Sequence, residues 1–176
     1  GTVAFPNSML GVGNLTVTRA TAIFTDTLVG LGSLTVHGAT VDFSAAAGPT
    51  TYTVPKLDLI GVNNVGAAIT GTDSFIVNGP MTWQDYSPQW SGTGTLTANG
   101  PLTIGNVDLG GKLIANGYTT LSGGIVAGSG PGEFINNGTF DFRTNTTVLP
   151  FDTSNTRNFT NNGTMIGLVG FQFDNA

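Results

Sequence analysis

Ten carboxylates are the groups in this chain most able to do acid–base chemistry: Asp26, Asp42, Asp58, Asp73, Asp85, Asp108, Glu133, Asp141, Asp152 and Asp174. Hydrolysis of a glycosidic bond needs two such groups flanking the bond. No Asp-Asp or Asp-x-Asp pair occurs here. In Val41-Asp42-Phe43 and Phe140-Asp141-Phe142 the acid alternates with apolar neighbours, so on a strand it points away from the core. The expectation is a solvated outer face with no catalytic residue, and a protein that is not an enzyme. His37 is the sole histidine and cysteine is absent, which leaves no pair of soft ligands for a transition metal. The repeated Gly-Gly-x-Gly-x-Asp of calcium-binding solenoids is missing as well. Neither metal nor cofactor is expected. His37 reads as a corner residue, in the place that Asn78, Asn99 and Asn116 take in other copies of a repeat.

The run Trp83-Gln84-Asp85-Tyr86-Ser87-Pro88-Gln89-Trp90 departs from its surroundings. Trp83 follows the core alternation. Tyr86 and Trp90 fall in an insertion where their rings could stack on a sugar, so glycans are a candidate partner. Gly-x-Gly pairs without a following helix make no phosphate cradle. The cations are Arg19, Lys56, Lys112, Arg143 and Arg157 against a net charge of −5. Five scattered cations cannot neutralise a row of phosphates, so nucleic acid is not an expected partner. No apolar run of 18 residues is present, so no transmembrane helix is expected.

These residues must be held by strands. Thr, Val, Ile and Phe are abundant, Gly is 27 of 176 and charged residues only 9%, a composition that favours strand over helix. A phrase recurs: Gly-x-Gly-x-(Leu/Phe), an alternating apolar stretch, then Asn-Gly. Its first large apolar residue falls at Leu15, Leu34, Leu57, Phe75, Leu96, Leu113, Phe134 and Phe159, in steps of 19, 23, 18, 21, 17, 21 and 25 residues. A period near 21 marks a stack of equivalent units. Each unit reads as two short strands around a corner, as in Leu96-x-Ala98-Asn99-Gly100 followed by Leu102-x-Ile104. Asn-Gly between alternating runs is also the strongest hairpin signal. A solenoid, however, needs the same corner on every turn, and stacked corner amides can bond along it. The expected fold is all-β: a parallel β-solenoid of about eight coils and ~21-residue period, right-handed by the general crossover preference. The alternative is an antiparallel β-sandwich fibre subunit. Residues 1–176 form a single repeat domain, with a pairing strand at 1–10. Asn78, Asn99, Asn116, Asn137 and Asn162 should form a corner ladder. Loops are expected at Ser44–Tyr52, Gln84–Gln89 and Thr144–Arg157, and residues 62–72 match the repeat poorly.

Met81-Thr82-Trp83, Ser91-Gly92-Thr93-Gly94-Thr95-Leu96-Thr97 and Phe134-Ile135-Asn136-Asn137-Gly138-Thr139-Phe140-Asp141 resemble the degenerate repeats of very large secreted bacterial surface proteins. In style they are similar to autotransporter passengers and filamentous-haemagglutinin-type adhesins, best over 81–167 and recognisably over 11–43. The resemblance implies a secreted or cell-surface β-helix with a structural or adhesive role and no particular ligand. The alternative function is a polysaccharide-binding or polysaccharide-cleaving β-helix module. The uncharged start Gly1-Thr2-Val3-Ala4-Phe5-Pro6 and the alternating end Phe171-Gln172-Phe173-Asp174 lack the blunting that protects strand edges. The expected partner is therefore the chain itself, in an oligomer or fibre, or the remainder of a longer chain. Asn14, Asn137, Asn145, Asn158 and Asn162 begin Asn-x-Ser/Thr sequons.

Overall fold

The computed structural model describes residues 1–7, 9–44, 48–86, 88–105, 107–123, 125–126, 132–143 and 158–167. The expected loop 144–157 and the end 171–174 lie outside them. The chain winds as a parallel β-solenoid of about seven turns, and the described residues contain no helix. The first turn is β1 (Thr2–Phe5) and β2 (Met9–Thr18), the second β3 (Thr21–Phe24) and β4 (Leu28–His37). From the third turn on there are three strands per turn. They run β5 (Thr40–Phe43), β6 (Thr51–Val54), β7 (Leu57–Ile60); β8 (Ala68–Gly71), β9 (Ser74–Val77), β10 (Met81–Gln84); and β11 (Gln89–Trp90), β12 (Thr95–Ala98), β13 (Leu102–Ile104). Next come β14 (Val107–Leu109), β15 (Lys112–Ala115), β16 (Tyr118–Leu121); β17 (Ile125–Val126), β18 (Glu133–Asn136), β19 (Thr139–Phe142); and lastly β20 (Asn158–Asn161) and β21 (Thr164–Gly167).

Three sheets result. Sheet A is β1-β3-β5-β8-β11-β14-β17, sheet B is β2-β4-β7-β10-β13-β16-β19-β21, and sheet C is β6-β9-β12-β15-β18-β20. A full turn visits A, then C, then B. The hairpin alternative fails on pairing: β12 pairs in parallel with β9 and β15, and β13 in parallel with β10 and β16. Within the expected N-terminal pairing segment 1–10, Thr2–Phe5 form β1, parallel to β3 of the same chain, and Met9 and Leu10 begin β2.

Two details of the repeat need correction. The unit has three strands rather than two. The first three markers, Leu15, Leu34 and Leu57, stack on sheet B, whereas Phe75, Leu96, Leu113, Phe134 and Phe159 stack on sheet C. Every face uses the same apolar-x-apolar code, so the pattern cannot label the face. In the first two turns the C and B positions merge into the ten-residue strands β2 and β4. Gly11, Gly13 and Gly30 bend them with φ of +65°, +62° and +73°, a conformation glycine adopts without steric cost.

Inward positions form continuous apolar columns. Leu34, Val36, Leu57, Leu59, Phe75, Leu96 and Phe134 are fully buried, each contributing roughly 1.5–3 kcal/mol by leaving water. Aromatic rings stack between turns, Phe5 on Phe24 at 4.8 Å and Phe24 on Phe43 at 5.2 Å. Phe134 and Phe159 repeat the motif near the other end at 5.4 Å.

Candidate functional site

The three edges of the solenoid differ. Where sheet C turns into sheet B, the connections are two or three residues long, from Pro55-Lys56 through Asn78-Gly79-Pro80 to Asn162-Gly163. Asn78, Asn99, Asn116, Asn137 and Asn162 form one unbroken row along this edge. Asn99 Nδ2 donates to Asn78 Oδ1 at 2.9 Å, Asn116 to Asn99 at 2.8 Å, Asn137 to Asn116 at 2.8 Å and Asn162 to Asn137 at 3.0 Å. Every rung donates toward the N-terminal side, so the ladder has a direction. The following glycines are required by close approach: a Cβ on Gly117 would lie 2.2 Å from the Gly100 carbonyl oxygen, and one on Gly138 2.0 Å from that of Gly117. His37 is not part of this row. It ends β4 in register with Thr18 and Ile60, so it belongs to sheet B and to the turn toward sheet A. Of the sequons, Asn137 and Asn162 are ladder rungs, Asn14 Oδ1 accepts the Ser33 N–H at 3.0 Å, and Asn145 lies outside the described residues.

Where sheet B turns into sheet A, the edge is irregular. All the described non-glycine residues with left-handed φ sit here: Arg19, Asn63, Asn64, Asp85 and Tyr86. Such conformations cost about 1–3 kcal/mol each for ordinary residues and gather where a structure is shaped for a purpose. Asn63 and Asn64 form a turn closed by reciprocal bonds between Val62 and Val65, which explains why residues 62–72 break the repeat. Tyr86 is 52% exposed. Its loop is pinned from both sides. The buried Trp83 Nε1 donates to the Pro88 carbonyl at 2.9 Å. Gly61 lies so close beneath that a Cβ there would meet the Asp85 oxygen at 2.1 Å.

Trp90 is not a surface ring. It is fully buried on sheet A and packs edge-on against Phe75, with centroids 6.1 Å apart. Gly111 leaves room for it, since a Cβ there would sit 2.6 Å from Trp90 Nε1. Only Tyr86 of the two expected sugar contacts reaches solvent. The expected loop Ser44–Tyr52 likewise ends in the core: Tyr52 is buried and its hydroxyl accepts the Leu28 N–H at 3.4 Å. Burial, followed by the neighbouring Asp73 carboxylate, outweighs that bond and raises the Tyr52 phenol above its usual range. Asp73 is itself buried and its Oδ1 accepts the Thr50 N–H at 2.8 Å, tying the third edge together.

The outer faces carry polar side chains in rows. On sheet B, Thr16, Thr35, Asp58, Thr82, Thr103, Thr120 and Asp141 are successive neighbours. The ion pairs found among the described residues belong to sheets B and C: Lys56–Asp58 at 2.7 Å, Lys112–Glu133 at 2.9 Å and Arg143–Asp141 at 2.7 Å. The Tyr118 hydroxyl donates to Asp141 Oδ2, and this bond, followed by the Arg143 bond, holds the Asp141 carboxyl below its usual range. Among the described residues, no three of His, Cys, Asp or Glu come together as a metal site. Among the described residues this arrangement presents strand edges, hydroxyl rows, and the Tyr86 ring beside a recess. Compared with protein-family models, with curated proteins and with solved structures, the chain matches none.

Proposed function

We propose that this chain is a non-catalytic structural or adhesive solenoid of the cell exterior, associating with itself through an open strand edge. The observation that carries the reading is the first turn. Among the described residues β1 is paired with β3 and β2 with β4, each along one side. No charged residue precedes Arg19, and Val3 and Leu10 are 53% and 79% exposed. An uncharged, apolar open edge is a template for pairing with another strand. A surface of Thr, Ser and Asn in a chain with only 9% charged residues adds little repulsion between copies. Such an edge suits a strand of a second copy, or a further turn of a longer chain, and the first is the occupant proposed.

Sedimentation velocity over a wide concentration range tests this. The chain should sediment as growing assemblies, and Val3→Lys with Leu10→Lys should leave a folded monomer. A wild-type chain that stays monomeric throughout, or Lys variants that assemble unchanged, would refute the proposal.

A further inference from the structure

A groove follows the edge between sheets B and A. Its floor is the outward row Thr21, Thr40, Ala68 and Gln89, successive neighbours in the parallel register. At ~4.8 Å per strand these four rungs extend about 14 Å along the axis. Two recesses of about 290 and 350 Å³ lie on it and share Thr40 and Gly66. Arg19 borders the first and Tyr86 the second. The hollow beside Tyr86 is made by small residues, Gly66 and Ala68. A half-exposed phenol held over a hollow by a pinned, left-handed loop is a fixed platform rather than a stray side chain.

We propose that this groove binds a neutral saccharide chain laid along the solenoid axis, with one ring stacked on Tyr86. The site supplies the ligand class for the adhesive half of the function proposed above and rests on it, but it does not require self-association. The phenol face suits the apolar face of a sugar ring, and few, well-placed polar groups then set orientation. The Gln89 amide and the Thr40 and Thr21 hydroxyls can each both donate to and accept from sugar hydroxyls. Charge selects against acidic sugars. Asp42 follows Thr40 on the same outward face, Asp108 Oδ2 accepts from Gln89 Nε2 at 3.0 Å, and Asp85 adjoins Tyr86. Arg19 is the single cationic side chain among the residues lining the two recesses.

The test is calorimetric titration of the full chain with neutral hexasaccharides of glucose, mannose and N-acetylglucosamine, and with a galacturonate hexamer. At least one neutral hexasaccharide should bind, and the galacturonate should bind more weakly. Tyr86→Ala should weaken binding about tenfold, and Tyr86→Phe by no more than about twofold. Tyr118→Ala, which removes an exposed phenol on sheet B, should leave binding unchanged. Should Tyr86→Ala fail to fold, Gln89→Ala reads the same site through an exposed side chain and should weaken binding about fivefold. Binding by none of the neutral hexasaccharides, tighter binding of the galacturonate, or equal losses in Tyr86→Ala and Tyr118→Ala would overturn the proposal. Assembly and binding separate cleanly. Lys variants of the first turn that stay monomeric should bind saccharide as before, and assemblies that bind no saccharide would remove the groove alone.

Discussion

Two edges of one solenoid have been built by opposite rules. Between sheets C and B each turn from Asn78 on repeats the last one: short corners, stacked amides, and glycines pressed against the carbonyl below. Between sheets B and A hardly any two turns agree. Lengths vary, residues with side chains take left-handed φ, and recesses open. Repetition makes hydrogen bonds cheap to align, because one rung's geometry serves all of them. Irregularity is what creates concave, individual surface. The first edge therefore carries stability and the second carries the features a ligand could distinguish.

The sharpest way to break that contrast is an extra methyl group on each edge. Gly117→Ala on the regular edge forces a Cβ to 2.2 Å from a backbone oxygen that cannot yield locally. A loss on the order of 4 kcal/mol is expected, read as a lower urea midpoint. Gly38→Ala on the irregular edge meets nothing nearer than Val62 Cβ at 3.3 Å and suffers chiefly from its φ of +50°. It should cost about 1 kcal/mol. Equal losses would mean that the Gly117 corner is no tighter than the Gly38 turn.

The ladder's direction makes a finer prediction. Asn116 both donates to Asn99 and accepts from Asn137, so Asn116→Asp removes a donor and sets a carboxylate against a carbonyl oxygen. About 1–2 kcal/mol should be lost in thermal unfolding. In the ladder Asn78 only accepts, so Asn78→Asp should change stability by no more than about 0.5 kcal/mol. The reverse order would show that the row is not polarised.

Smaller effects come from titration. The Tyr52 phenol is raised chiefly by burial, so its contribution is complete below the unfolded phenol's pKa, about 10, and is lost as pH rises beyond it. Unfolding midpoints followed from neutral to strongly alkaline pH should fall more steeply for the wild type than for Tyr52→Phe. Tyr52→Phe itself should cost roughly 1 kcal/mol at neutral pH through the lost Leu28 bond. The smallest expected change lies beside the ladder. The Asp141 carboxyl is lowered first by Tyr118 and then by Arg143. Its contribution is present above the ordinary carboxyl range and lost as pH falls through the lowered value. Carbon-detected NMR titration of Tyr118→Phe should show the Asp141 pKa move back up, with little change in stability at neutral pH.

Much of the fold was legible because the repeat is literal. The Asn-Gly corners state the period, and the apolar alternation states which residues are inside. What stayed hidden was the face to which a strand belongs. Leu57 and Phe75 obey one rule while lying on different sheets, and the slip between them falls where β6 first separates sheet C from sheet B. Trp90 was misread because Pro and Gln precede it in a segment with only two strand residues. Its place was nonetheless marked: it pairs with Ile69 before it and Leu109 after it, both apolar. The groove was the least legible part. Its shape depends on left-handed Asp85 and Tyr86 and on small residues in a non-repeating stretch, and periodicity does not describe either. Tyr86 alone was visible in advance, as an aromatic residue in a polar insertion.

The placement of charge has a directional consequence. On sheets B and C positive and negative side chains stand in pairs, while the strands of sheet A contain Asp42 and Asp108 and no Lys or Arg. Among the charges carried by the described strands, the negative ones outside those pairs therefore stand on one face. An anionic surface repels a chain of net charge −5 as a whole, and of the strand faces it repels sheet A most. That difference between faces fades over the ~10 Å screening length of 0.1 M salt, so ionic strength sets how strongly the faces are told apart.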